Sequence, residues 1–280
     1  MKKWNMIVDV ASCHNCNNCF VAVKDEYVGN DFPGVAASQP LHGHKWIDIE
    51  SKESGQMPMV ETKYRPVMCN HCDDAPCMKA AKNGAIKKRD DGIVIIDPEK
   101  SKGQKEIVNA CPYGAIYWNE ELQIPQAWPF DAHLLDQGWD HTKLESVCPT
   151  DVFRSLKVTD VEMQRIAKEE DLETLEPKLG AKPRVYYKNN YLFEKCFIGG
   201  TVITRNGDYE DCIEGANVKL LKDNNEVGSA ESDAFGEFKI HNLDPALGSL
   251  TLKIDAVEKS SKTLDVELQD KSVYLGCIEV

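Results

Sequence analysis

Two tight cysteine triplets constrain this chain more than anything else in it. Cys13, Cys16 and Cys19 are spaced C-x2-C-x2-C, and Cys69, Cys72 and Cys77 are spaced C-x2-C-x4-C. Cys111 and Cys148 each stand directly before a proline. Three thiols within a few residues serve no apolar core, but as thiolates they are strong metal ligands. A secreted disulfide scaffold would be shorter and more evenly stapled. The opening stretch MKKWNMIVDVASCHNC has no apolar h-region of about 7–15 residues, so no secretory leader is expected and the expected location is cytoplasmic. The triplets therefore read as metal sites.

Bacterial ferredoxins use C-x2-C-x2-C-x3-C-P, in which three neighbouring thiolates and one remote Cys-Pro thiolate hold each [4Fe–4S] cluster. Two triplets need two remote ligands, and the first 150 residues hold two, Cys111 and Cys148. The nested assignment groups Cys13, Cys16, Cys19 and Cys148 in one cluster, and Cys69, Cys72, Cys77 and Cys111 in the other. Nesting keeps the inner loop short, but spacing alone leaves the crossed pairing open. Zinc is the bland alternative, although zinc sites usually come as two C-x2-C pairs. The spacing would continue to Val23 and Ala81, neither of them cysteine, and the stretches before Cys111 and Cys148 also lack cysteine. A site stripped of all its ligands can be packed with side chains such as Val23, Trp128 and Phe130. Cys196, Cys212 and Cys277 are scattered and read as small buried hydrophobes.

Lys and Arg number 33 against 46 Asp and Glu, a formal charge of −13, which argues against a phosphate-binding face. No stretch reaches the roughly 18 apolar residues of a membrane span. Along the chain, 5–11 reads as a strand entering the first triplet and 18–28 as a helix leaving it. Residues 31–60 read as a polar, solvated insert carrying His42, His44 and Trp46, with partner contact the alternative. Hairpins are expected at 84–97, turning at Asp90–Gly92, and at 113–125, turning at Asn119–Glu121. A helix is expected at 159–170, capped by Thr159 and Glu162, with Val161 and Ile166 on one face. A charged strap follows at 171–195. From Cys196 the pattern becomes alternating segments of strand length separated by turn signals, five to seven strands in all. The expected fold class is α+β: a doubled ferredoxin-like iron–sulfur domain over 1–195, then a β-sandwich of immunoglobulin-like or transthyretin-like type over 196–280. Phe235 and Phe238 are expected to anchor that sandwich, which offers no nucleophile–base pair or phosphate loop.

Residues 1–195 resemble the iron–sulfur subunits of molybdopterin oxidoreductases. The likeness rests on the first triplet, Arg65–Cys72 through Ala75-Pro76-Cys77, Asp90–Val94, Cys111-Pro112-Tyr113-Gly114 and Lys182–Tyr187. Asn17–Phe20, Tyr117–Glu121, Ala132–Asp136 and the appended β domain resemble, within that family, the small subunits of pyrogallol–phloroglucinol transhydroxylases. The resemblance covers nearly the whole chain. It favours nested pairing, because in the family the first and last motifs exchange their fourth ligands and the two middle motifs exchange theirs. It also implies a C-x2-C pair where Trp128 and Asp131 stand and a cysteine where Val23 stands, so two clusters remain. What it implies for function is a noncatalytic electron-transfer subunit in an anaerobic enzyme. Its partner would be a large subunit that carries the molybdopterin cofactor, as a heterodimer or a multiple of one, acting on polyhydroxylated aromatics. The rival readings are an electron conduit for a net aromatic hydroxylase or catechol dehydroxylase, and a freestanding two-cluster ferredoxin.

Overall fold

The computed structural model describes residues 1–207, 209–256 and 261–280. It divides into two compact units, 1–50 with 64–190, and 51–63 with 191–280. The expected boundary after residue 195 falls instead between Asn190 and Tyr191, and a segment of the expected insert joins the second unit.

The chain opens with β1 (Lys2–Asp9), α1 (Asn18–Tyr27) and the strands β2 (Ile47–Gln56) and β3 (Met59–Met68). Next come α2 (Pro76–Ala80), β4 (Ile86–Lys88), β5 (Val94–Ile96), α3 (Glu106–Asn109), β6 (Tyr117–Asn119) and β7 (Ile124–Gln126). The first unit closes with α4 (Ala132–Asp136), α5 (Lys143–Val147), β8 (Phe153–Thr159), α6 (Asp160–Glu169) and β9 (Val185–Lys188). The architecture is mostly β, with short helices. Strand β1 is central in a three-stranded sheet, antiparallel to β8 and parallel to β9. Its residues Trp4 to Val8 are all buried, as a strand covered on both faces requires. The polar member of that run, Asn5, is satisfied by Lys3 O at 2.9 Å and Arg184 Nη1 at 3.2 Å. The two small hairpins β4–β5 and β6–β7 form as the turn signals predict.

Three expectations are corrected here. The insert 31–60 is not a solvated loop throughout: His44 and Trp46 are buried, and Ile47–Gln56 pairs with Met59–Met68 as a two-stranded ribbon. Its sequence IDIESKESGQ is so charged that the period-2 signal is lost, because most of the ribbon is not buried. Helix α6 forms with Thr159 accepting from the Glu162 amide, but Val161 is 79% exposed. Its buried side is Met163 with Ile166 and Ala167 partly covered, the i, i+3, i+4 stripe that Val161 lies off. The strap 171–195 is not wholly irregular, since β9 adds to the sheet beside β1.

Beyond its 51–63 segment the second unit resumes with α7 (Tyr191–Glu194) and continues in strands: β10 (Cys196–Asn206), β11 (Tyr209–Cys212), β12 (Asn217–Lys222), β13 (Asn225–Glu231), β14 (Glu237–Leu243), β15 (Gly248–Asp255), β16 (Lys262–Leu268) and β17 (Val273–Glu279). One sheet joins β11, β10, β14 and β17, and the other runs β13-β12-β15-β16. Alternate residues of both sheets share one core, among them Ile198, Phe238 and Ile240 from the first and Leu220, Leu252 and Leu268 from the second. Phe238 anchors this core but Phe235 is 73% exposed. Asp233 accepts the amides of Phe235 and Glu237, both at 2.9 Å, and that turn throws Phe235 outward. Cys196 is buried as expected, whereas Cys212 and Cys277 are exposed at strand positions facing away from the core. Among the described residues no helix is long and apolar enough to cross a membrane.

Candidate metal centres

The antiparallel register of β1 and β8, with Val8 opposite Phe153, sets the chain leaving β1 beside the chain entering β8. The Asp9 amide donates to Val152 O at 2.8 Å across that junction. The Asp9 side chain accepts from the Ala11 amide at 3.0 Å, turns the chain through a 3-10 segment and delivers Cys13. On the other side Cys148 ends α5 just before β8. Cys148 is thus brought to the first triplet. Asn15 and Asn17 sit at positive φ, 56° and 62°, a region asparagine tolerates. These turns aim backbone amides at sulfur: Asn15 at Cys13, Phe20 at Cys19, and Val152 at Cys148 Sγ at 3.4 Å. Burial pushes the Cys13 thiol up and that of Cys19 to about 12, and Cys16 and Cys148 add to both. Cys16 is exposed on the loop.

The second triplet and Cys111 meet through packing of α2 and α3. Ala85, Ile86, Val94, Ile107 and Ile116 form a small core, against which Cys77 and Cys111 pack. Cys69, Cys72, Cys77 and Cys111 line one pocket. Amides of His71, Met78 and the Tyr113–Ala115 turn point at Cys69, Cys77 and Cys111. The Tyr113 hydroxyl reaches Cys72. Burial drives all four thiols up, Cys72 to about 12 and Cys77 to about 11, and neighbouring thiols raise the triplet further. Such thiols resist ionisation by themselves, so the thiolate form needs cationic metal beside it.

Around this quartet lie residues that spacing does not reveal. Lys88 Nζ donates to the carbonyls of His71 and Cys72 at 2.9 and 3.0 Å, and pairs with Asp73 at 2.9 Å. Arg184 forks onto Asp73 at 2.7 and 2.5 Å and reaches Asp160 at 2.9 Å, while its own amide donates to Asn70 O. The strap thus clamps the 69–73 loop. His71 accepts the Val94 amide at Nδ1, 3.1 Å, which leaves the proton on Nε2; burial and the nearby Lys88 cation lower its pKa to about 3. It is a neutral ring in that loop.

Four thiols served by backbone N–H groups fit a thiolate-held cluster with net negative charge. Among the described residues no three His, Cys, Asp or Glu side chains converge as ligands of one ion would.

A family model described as a 4Fe-4S dicluster domain matches residues 60–159, which hold Cys69, Cys72, Cys77, Cys111 and Cys148. The pyrogallol hydroxytransferase small subunit of Pelobacter acidigallici is 45% identical over the full length of both chains. The chain belongs to the pyrogallol hydroxytransferase small-subunit family. The iron–sulfur subunit of the arsenate respiratory reductase of Shewanella sp. strain ANA-3 is 33% identical over 48% of this chain and 52% of its own. A putative dimethyl sulfoxide reductase iron–sulfur subunit of Halobacterium salinarum is 30% identical over 68% of this chain and 80% of its own.

In this member of the hydroxytransferase small-subunit family, Val23, Trp128, Phe130 and Asp131 are all at most 2% exposed. Ala81 packs beside Cys77 and Cys111. His44 bonds Trp118 O at 3.0 Å, and Cys196 bonds Asp270 O within its own unit.

Proposed function

We propose that the chain is the iron–sulfur electron-transfer subunit of a molybdopterin enzyme acting on polyhydroxylated aromatics, with two [4Fe–4S] clusters and no catalytic site of its own. Cys13, Cys16, Cys19 and Cys148 would hold one cluster, and Cys69, Cys72, Cys77 and Cys111 the other. The observation that carries this reading is the gathering of eight cysteines into two amide-lined quartets. When bound, such a cluster exchanges one electron at a potential within roughly −700 to +450 mV, tuned by hydrogen bonds and burial. The chain's own groups do the tuning. The Asn15, Phe20 and Val152 amides serve the first quartet, and the Tyr113 hydroxyl and the loop fixed by Lys88 serve the second. The end-to-end likeness to a pyrogallol hydroxytransferase small subunit supports a large molybdenum–pterin partner, as a heterodimer or a multiple of it. A transhydroxylation has no net redox change, so on this reading the clusters poise or stabilise the assembly. The second unit, read as an immunoglobulin-like or transthyretin-like sandwich, has a docking or stabilising role.

Anaerobic purification of the native complex tests this. A large subunit carrying molybdenum and a pterin should co-elute with the chain. Recovery of the chain alone, fully loaded with iron, would leave a freestanding ferredoxin instead.

A further inference from the structure

The iron–sulfur spacing continues from Cys19 to Val23 and runs back from Cys148 to Leu144. Neither is cysteine, and both are buried, at 2% and 0% exposure. Val23 lies on α1, which carries Cys19, and Leu144 on α5, which leads into Cys148. The two helices pack on each other. Trp128 and Asp131, each 0% exposed, complete the place. Asp131 Oδ1 accepts from Trp128 Nε1 and from the Tyr27 hydroxyl, both at 2.9 Å, and Oδ2 accepts from the Lys143 amide at 2.9 Å. One carboxylate therefore ties α1, through Tyr27, to the first turn of α5. Burial pushes the Asp131 carboxyl up, and its three neutral donors, with His133 nearby, pull the other way. The nearby cation Lys143 Nζ is engaged by Glu26 at 2.5 Å, which also bonds His133 at 2.7 Å. Trp128 packs on Phe130, ring centroids 5.0 Å apart, and meets the His71 ring at 5.8 Å.

We propose that Asp131 is a positioning residue for the Cys13–Cys16–Cys19–Cys148 site. With Trp128 and Tyr27 it holds together the two helices that deliver Cys19 and Cys148. This rests on the two-cluster reading above. Hydrogen bonds to the sulfurs set cluster potentials, so loosening those helices moves the first site's potential as well as its hold on iron.

The test uses anaerobically purified holoprotein. Cys148→Ser identifies which reduced-cluster paramagnetic resonance signal and which phase of iron release to a chelator belong to the first site. In Asp131→Asn the first-site midpoint potential should move, by more than any shift of the second. First-site iron release should become about three- to tenfold faster, the range that losing one or two net hydrogen bonds gives. Tyr27→Phe removes one of the three donors, so it should speed first-site release by less than Asp131→Asn does. Unchanged first-site potential and release in Asp131→Asn, or a larger change at the second site, overturns the proposal. Where Asp131→Asn does not fold, Tyr27→Phe decides, and release at the wild-type rate overturns it. Wild-type protein with no cluster signal would sink the two-cluster reading itself, and is seen before any variant is made.

Discussion

Arg184 shows how much one residue can bind together. Its guanidinium is buried and reaches Asp73, Asp160 and Asn5, and its carbonyl accepts from the Met6 amide. Replacing it with alanine removes the fork and leaves Asp73 to Lys88, and losing such charged hydrogen bonds costs about 1.5–3 kcal/mol. Arg184→Ala should lower the unfolding free energy of the first unit, read from denaturant melts, by about that much, with Arg184→Lys recovering only part because it lacks the fork. A loss below about 0.5 kcal/mol would mean the clamp is ornamental. In the second unit, burial pushes Glu61 up, but the Lys239 ammonium more than reverses this and holds it below its ordinary 4.5. A depressed carboxylate stabilises fully above its unfolded value, and that stability is lost as pH falls through the lower folded value. Amide protection in β14, corrected for intrinsic exchange, should therefore fall on acidification below about pH 4.5. Glu61→Gln should start less protected at neutral pH and lose that dependence. At this scale the two triplets were legible because their spacing is local, and the remote Cys111 and Cys148 because each precedes a proline. Arg184, Asp73 and Lys88 were not, because Arg184 meets Asp73 across 111 positions of sequence. Phe235 and Cys277 misled because an apolar side chain in a strand-like run does not say which face it takes.

Among the elements, those with strong local signals formed where the sequence put them. Helix α1, the two small hairpins and α6 all carry caps, turns or periodicity within a few residues. The β2–β3 ribbon was missed because its stability comes from pairing rather than from an apolar face. Helix α6 isolates the contribution of a cap. Thr159 Oγ1 accepts the Glu162 amide at 3.2 Å, and its removal should cost about 1 kcal/mol. Met163→Ala, at the buried centre of the same helix, should cost about 2–5 kcal/mol. Val161→Ala should be nearly neutral, since that side chain is 79% exposed. Thermal melts of the three variants check the order, and an equal loss from Val161→Ala would contradict the buried stripe described for α6.

For the molecule as a whole, both quartets lie in the unit formed by 1–50 and 64–190, while the other unit has a continuous apolar core and none of these eight cysteines. Metal binding supplies folding free energy where apolar material is scarce. Chelating the iron should therefore release amide protection in β1, β4 and β8 but leave β10, β12 and β15 protected. Simultaneous loss in both sets would contradict that division. The claim on which the functional reading turns is simpler still. Iron and acid-labile sulfide should be counted on the anaerobically purified full chain. Two cubes give about eight of each per chain. One or two zinc ions with no sulfide, or about four iron and four sulfide, would contradict the account.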